Sequence, residues 1–232
     1  MTRPITTVLF DLDGTVANSA PGILASLRHA FQVNGLTPLS AEQERGLLGP
    51  PFYESLPTLI DPALVGVVIA SYREVYGGGA MLDAVAYDGI PALLQWLREQ
   101  GCTLGLATSK PEHYARPIVE HLGVGDYFDT ICGDTLDGSR GSKALVIGEA
   151  LSRLGQPEPT TVLMVGDRAH DVIGARAHGI GCLGAGWGYG SEPELLEAGA
   201  LAVYATVSQL RLALPARLGV EVRTEPNSTG AG

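Results

Sequence analysis

The chain has 232 residues, 45% of them hydrophobic and 17% charged, enough to bury a sizeable core in one large domain or in a domain carrying an insertion. Against 15 Lys and Arg stand 25 Asp and Glu, a formal charge of -10, and no Lys/Arg cluster of nucleic-acid type breaks that balance, so nucleic acid is excluded as a partner. The three cysteines, Cys102, Cys132 and Cys182, are widely spaced and each lies in an apolar segment, so they read as small buried thiols in a reducing compartment rather than as disulfides or zinc ligands.

Met1-Thr2-Arg3-Pro4 leads directly into a strand-like run without a charged-then-apolar leader. The apolar stretches are much shorter than a membrane span. The chain therefore reads as soluble and cytoplasmic, a monomer or homodimer with no membrane partner. Ile5 to Phe10 is a short apolar run, partly β-branched, that predicts a buried strand. From Pro21 the spacing becomes helical, with Ile23, Leu27 and Phe31 on one face and Gly35 at the end. Further helical stretches are expected at Ala41–Leu48, Phe52–Ile60 and Pro62–Tyr76, with no strand between them, before Gly77-Gly78-Gly79 breaks the pattern.

After Asp88-Gly89 helix and strand alternate. The expected order is helix 90–100, strand 102–107, helix 112–121, strand 128–132, helix 143–154, strand 161–165, helix 171–178, strand 181–183, helix 192–198, strand 201–204 and helix 207–214. Pro117 weakens the helix at 112–121. Such alternation predicts an α/β fold with a doubly wound, Rossmann-like parallel sheet. One crossover needs about a dozen residues, so the helical surplus between the first strand and Asp88 predicts an inserted helical cap at 18–84, a core formed by 1–17 and 85–215, and a disordered polar tail at 216–232.

In open parallel sheets ligands bind beyond the carboxyl ends of the strands. Those ends carry Asp11 and Asp13 after the first strand, Thr108-Ser109-Lys110 after Ala107, and Gly166-Asp167-Arg168 with Asp171 after Val165, while Lys143 opens the helix before the last of these. Asp11, Asp13, Asp167 and Asp171 crowded together repel unless a cation joins them. All-oxygen ligation with room for water and phosphate suits Mg²⁺. The bland alternative is that Asp167 and Asp171 cap a helix. An EF-hand reading from Asp11 fails at Thr15, Val16 and Gly22, and neither a dinucleotide fingerprint nor a Gly-Lys-Ser/Thr loop is present.

Asp11-Leu12-Asp13-Gly14-Thr15, Thr108-Ser109, Lys143 and Gly166-Asp167-Arg168-Ala169-His170-Asp171 resemble, in order, the four motifs of the haloacid dehalogenase superfamily. Gly49-Pro50-Pro51, Ala107-Thr108-Ser109-Lys110-Pro111, Asp137-Gly138-Ser139-Arg140 and Trp187-Gly188-Tyr189-Gly190-Ser191 are similar to its phosphoglycolate-phosphatase-like branch, which has a helical cap. The resemblance implies that Asp11 is the nucleophile, forming an aspartyl-phosphate, and that Asp13 is the general acid and base. Thr108 would hydrogen-bond the phosphoryl group and Lys143 would offset its charge. Asp11, Asp167 and the Asp13 backbone carbonyl would ligate Mg²⁺, with Asp171 supporting them. Dehalogenases lack an acid at the place of Asp13, so a phosphatase acting on a small-molecule phosphate ester is implied. A nucleotidase, pyrophosphatase or phosphomutase on the same scaffold is the alternative, and a phospho-accepting receiver or a binding protein with a dead site is more distant.

Three departures from the branch bear on the substrate. Asn18 stands where Asp is usual, Tyr87-Asp88-Gly89 replaces Tyr-Pro-Gly, and Tyr53 occupies a place where Arg often follows. Candidate substrate contacts are Ser109, Asn18, Arg73 and Tyr53. Arg73 would hold an anionic end and Phe52 and Tyr53 an apolar body if they face the pocket; otherwise the rings are cap core and Arg73 lies on a solvated face.

Overall fold

The computed structural model describes residues 3–219. Its first strand, β1 (Thr7–Phe10), is buried throughout, and alternate residues serve different cores. Val8 and Phe10 enter one apolar cluster and Leu9 the other, as the two-residue side-chain period requires of a strand covered on both faces. The chain then makes a short strand, β2 (Ala17–Asn18), and enters a helical excursion: α1 (Ala20–Val33), α2 (Ala41–Gly46), α3 (Phe52–Ser55) and α4 (Val65–Gly77). It returns through β3 (Val85–Ala86), which pairs antiparallel with β2.

The remaining elements are α5 (Ile90–Glu99), β4 (Thr103–Pro111), α6 (Glu112–His121), β5 (Thr130–Asp134), α7 (Lys143–Arg153), β6 (Val162–Gly166), α8 (Ala169–Ala177), β7 (Gly181–Ala185), α9 (Glu192–Ala198), β8 (Ala202–Tyr204) and α10 (Val207–Leu218). Six strands form one parallel sheet in the order β5-β4-β1-β6-β7-β8. Residues of α7, α8 and α9 bury against one face, and residues of α5, α6 and α10 join the cluster on the other. From β1 the chain builds outward to β4 and β5, then returns across the sheet to β6 on the other flank of β1. That reversal is the kind of switch point at which open α/β sheets bind ligands. Among the described residues no helix is long and apolar enough to cross a membrane.

In the helical excursion α1 packs against α4. Ile23, Leu27, Ala30 and Phe31 from the first and Val68, Ile69, Tyr72 and Tyr76 from the second are buried in a cluster continuous with that of the sheet. Several boundaries differ from expectation for local reasons. The helix expected at 52–60 is a single turn of α-helix followed by a 3₁₀ turn at Leu56–Thr58, with Pro57 early in that turn. The strand expected at 128–132 lies at Thr130–Asp134, because a 3₁₀ turn at Gly125–Tyr127 precedes it. Pro117 is accommodated inside α6, whose Ile118 and Val119 are fully buried.

The disordered tail expected from 216 needs correction over its first residues. α10 continues to Leu218, with Leu214 and Leu218 buried, and Ile5 donates its N–H to the Arg217 carbonyl at 3.1 Å, which ties this turn to the start of β1. Residues 220–232 lie outside the described residues.

Candidate active site

Strand register brings the acids together. Phe10 is level with Val165 in the β1–β6 pair, so Asp11 and Asp167 emerge beside each other from adjacent strand ends. The Asp11 backbone is still held, its N–H donating to the Val165 carbonyl at 3.0 Å. Asp171, in the first turn of α8, uses its two oxygens differently: Oδ2 accepts the Arg168 N–H at 3.0 Å, capping the helix, while Oδ1 is 2.7 Å from Lys143 Nζ. The capping alternative is thus true of Asp171 without exhausting it. Asp167 caps nothing; it accepts from the Tyr189 N–H at 2.8 Å and from the Thr15 hydroxyl at 3.3 Å.

Lys143 is the first residue of α7, where the helix dipole disfavours a cation. Carboxylates carry that cost, since Nζ lies 2.5 Å from Asp11 Oδ1 and 2.7 Å from Asp171 Oδ1. All four groups are buried. Burial raises the Asp11 carboxyl to about 6; Lys143 pulls it down, and the charges of Asp171 and Asp13 push it up. Asp167 is held well above the carboxylate range, chiefly by burial and then by the charges of Asp11 and Asp171. Burial alone would lower the Lys143 ammonium, but Asp11 and Asp171 reverse the sign and raise it.

Asp11, Asp167 and Asp171 each offer a carboxylate oxygen, and those oxygens lie within 4.8 Å of one another. One ammonium pairs with two of the three buried acids, and among the described residues no basic side chain forms an ion pair with the third, Asp167. Buried like charges in this state favour a further cation or uptake of protons. The donor set is oxygen only, which fits a hard divalent ion. The backbone around Asp167 is equally constrained. Gly14 has φ +83°, and a Cβ there would stand 2.1 Å from Asp167 Oδ2; a Cβ on Gly188 would stand 2.4 Å from Asp167 Cβ.

Asp13 faces away from this cluster. Its Oδ1 accepts from the Ser19 hydroxyl, and its Oδ2 is 3.0 Å from Lys110 Nζ. Lys110 also donates to the Tyr76 hydroxyl at 2.6 Å, and Tyr76 belongs to α4. A second tie to the helical excursion is Arg168, which donates to the Leu48 carbonyl while its Nε holds Glu194 at 2.9 Å. Between the excursion and the sheet is an open cleft, lined on one side by Asp13, Ser109 and Lys110 and on the other by side chains of α3 and α4.

Residues 8–185 match the family described as haloacid dehalogenase-like hydrolase. The chain belongs to the haloacid dehalogenase-like hydrolases. It is similar to the tyrosine-protein kinase PtkA of Mycobacterium tuberculosis, 41% identical over 89% of this chain and 72% of that protein. A 5'-nucleotidase of Pseudomonas aeruginosa is 36% identical over 81% of this chain and 86% of its own length. A phosphoglycolate phosphatase of Pseudomonas fluorescens is 32% identical over 78% and 70%. Among solved structures, a predicted phosphatase from Clostridium acetobutylicum superimposes with a TM-score of 0.85 at 35% identity, covering 90% of this chain and 98% of that one.

In this haloacid dehalogenase-like hydrolase the remaining candidate residues fall into two groups. Thr108 is buried within β4, where its regular pairing with β5 ends, one residue past the position level with Asp11, and its hydroxyl accepts the Lys110 N–H at 3.2 Å. Ser109, Tyr53, Arg73 and Phe52 all line the cleft. Asn18 does not: it sits in β2, and its Oδ1 accepts from the Tyr189 hydroxyl at 3.4 Å, because its pairing with Val85 fixes it in the ribbon at the base of the excursion. Ser19 and Tyr76 are not marked in the sequence, and Tyr189 stands there only within the Trp187–Ser191 motif, without a role. Each acquires its partner through a contact distant along the chain or through the turn after Asp13.

Proposed function

We propose that the protein is a Mg²⁺-dependent hydrolase of small phosphate monoesters, of phosphoglycolate-phosphatase-like type, working through a phosphoryl group held on Asp11. The observation that carries this reading is the buried group of Asp11, Asp167 and Asp171 with its single shared lysine at the sheet's switch point. Asp11 and Asp167, with Asp171 beside them and the Asp13 carbonyl, are the groups that would hold Mg²⁺. Bound there, the ion would neutralise phosphoryl charge and keep Asp11 ionised.

In the first transfer an Asp11 carboxylate oxygen bonds to phosphorus as the bond to the ester oxygen breaks, and Asp13 gives that oxygen its proton. In the second, water attacks the same phosphorus and yields a proton to Asp13, the bond to Asp11 breaks, and inorganic phosphate leaves. Lys143, ion-paired to Asp11, offsets charge on the transferring group, and the Thr108 hydroxyl is placed to donate to it. Residues 18–84 act as the cap that excludes water during the first transfer.

The test is phosphate release from a panel of monoesters with Mg²⁺, repeated with Asp11→Asn. Turnover in the native protein and its loss in a folded Asp11→Asn variant is the expected result; wild-type turnover in that variant refutes the nucleophile. The 41% identity to PtkA favours a second reading, transfer to a tyrosine hydroxyl instead of water. Phosphotyrosine appearing on a peptide with ATP, faster than phosphate is released from any ester, would establish that reading over hydrolysis.

A further inference from the structure

We propose that Tyr76, a residue of the helical excursion, is a positioning residue for Asp13, the group assigned to protonate the leaving oxygen, and that it acts through Lys110. This rests on the hydrolase reading above and adds to it a residue from the excursion that the two transfers do not otherwise use.

An irregularity in the sheet brings Lys110 to the site. β4 and β5 keep register as far as Thr108 opposite Gly133, and pairing resumes at Pro111 opposite Asp134, so Ser109 and Lys110 bulge out of the ladder. Bulges of this kind re-aim side chains beside functional sites. Gly133 makes room for this one, since a Cβ there would overlap the Lys110 carbonyl, and the Lys110 N–H is tied back to the Thr108 hydroxyl at 3.2 Å. The lysine is buried as a result, with Nζ 3.0 Å from Asp13 Oδ2 and 2.6 Å from the Tyr76 hydroxyl.

Asp13 is thereby anchored at both oxygens, because Oδ1 accepts from the Ser19 hydroxyl. The Lys110 anchor ends a flexible stem, so it holds direction only if something fixes the ammonium. Tyr76 does so. Its side chain is 1% exposed, stacked on Tyr72 of the same helix at 5.0 Å and set edge-on against Tyr114 of α6 at 5.5 Å, which leaves the hydroxyl no freedom to swing away. A tether that merely glued α4 to the sheet could end on any polar group; this one ends on the ammonium that holds the leaving-group acid. Removing the hydroxyl leaves Lys110 its charge and its attraction to Asp13 but takes away its fixed point. The carboxyl is then present but poorly aimed, and proton transfer depends steeply on aim.

Two esters of similar shape test the inference with Mg²⁺. Benzyl phosphate releases an alkoxide that must take up a proton as it leaves, whereas the 4-nitrophenolate of 4-nitrophenyl phosphate leaves without one, and kcat/KM reports the steps through the first transfer. Tyr76→Phe, which keeps the ring and its packing, should lower kcat/KM for benzyl phosphate at least about tenfold and that for 4-nitrophenyl phosphate less than about threefold. Lys110→Met should show the same ordering, and adding Tyr76→Phe to it should cost little more, since the hydroxyl acts through the ammonium. A purely structural tether would weaken turnover of both esters alike. Equal losses for the two esters in Tyr76→Phe, no loss for either, or a double variant whose loss is the product of the two single losses overturns the positioning role and leaves the hydrolase reading intact. Should Tyr76→Phe not fold, Lys110→Met decides by the same comparison of esters. Inertness of the native protein towards both esters overturns both readings.

Discussion

Asp11 and Asp13 are two positions apart and meet opposite surroundings. Asp11 shares a buried lysine with Asp171 and stands among like charges; Asp13 turns to Ser19, Lys110 and, through Lys110, a tyrosine of the helical excursion. The first arrangement predicts a pH-dependent stability. Because the folded Asp11 carboxyl is raised from 3.8 to about 6, the folded state holds a proton that the unfolded chain releases earlier, so this group lowers stability as pH climbs through that window and the loss persists above it. In EDTA at pH 7, Asp11→Asn should therefore raise stability, by up to about 3 kcal/mol, and the gain should shrink as pH falls from 6 towards 4. Urea denaturation at several pH values checks it; a variant less stable than the parent at pH 7 contradicts the assignment. Gly14→Ala should act in the opposite sense. Its Cβ would overlap Asp167 Oδ2 and its φ is +83°, so a loss of roughly 2 kcal/mol or more together with weakened Mg²⁺ binding is expected by calorimetry. At this scale Asp11, Asp167 and Lys143 were legible because each breaks a local rule, an acid closing an apolar strand or a cation opening a helix. Lys110 was legible only as part of the strand-end run after Ala107; its partners were not, because Asp13 and the Tyr76 hydroxyl reach it from other elements of the fold.

Among the elements, those with sustained periodicity were the readable ones. α1 shows Ile23, Leu27 and Phe31 at helical spacing, and these are the residues it buries against α4. β2 and β3 were missed because each is two residues long and offers no alternation; they exist as strands only because Ala17 meets Ala86 and Asn18 meets Val85 across the base of the excursion. The Tyr87 N–H donating to the Val16 carbonyl at 3.1 Å extends the same ribbon. Since the excursion has no sheet of its own beyond this pair, the α1–α4 contact is its main internal adhesive. Leu27 is fully buried there among apolar side chains. Leu27→Ala is expected to cost about 2–5 kcal/mol, read as a lower urea midpoint with unchanged chemistry on any ester still turned over. A change below about 0.5 kcal/mol would show that the two helices are not held by this packing.

For the whole molecule, alternation of helices and strands indicated a parallel sheet but not which strands are neighbours. Helix periodicity is blind to strand order, whereas charge is not. Acids after the first strand and after the strand at 162–166 can share one cation only if those strands are adjacent, and the register Phe10↔Val165 is that adjacency. The same concentration of charge makes the folded state the form that would bind the proposed divalent ion, because the unfolded chain scatters Asp11, Asp167 and Asp171 and would bind it poorly. Mg²⁺ at a hundred times its dissociation constant should then stabilise the protein by about 2.7 kcal/mol, which for a domain of this size is a rise in Tm of roughly 5–10 °C. Sign follows from competition between proton and metal. Below the Asp11 value of about 6 the carboxyl is protonated and the site loses a ligand charge, so the Mg²⁺ increment should be smaller at pH 5 than at pH 7.5. In Asp11→Asn it should be small at both. Thermal scans with EDTA and with Mg²⁺ at the two pH values decide the matter, and an increment of the same size in the native protein and in Asp11→Asn would place the ion somewhere other than between β1 and β6.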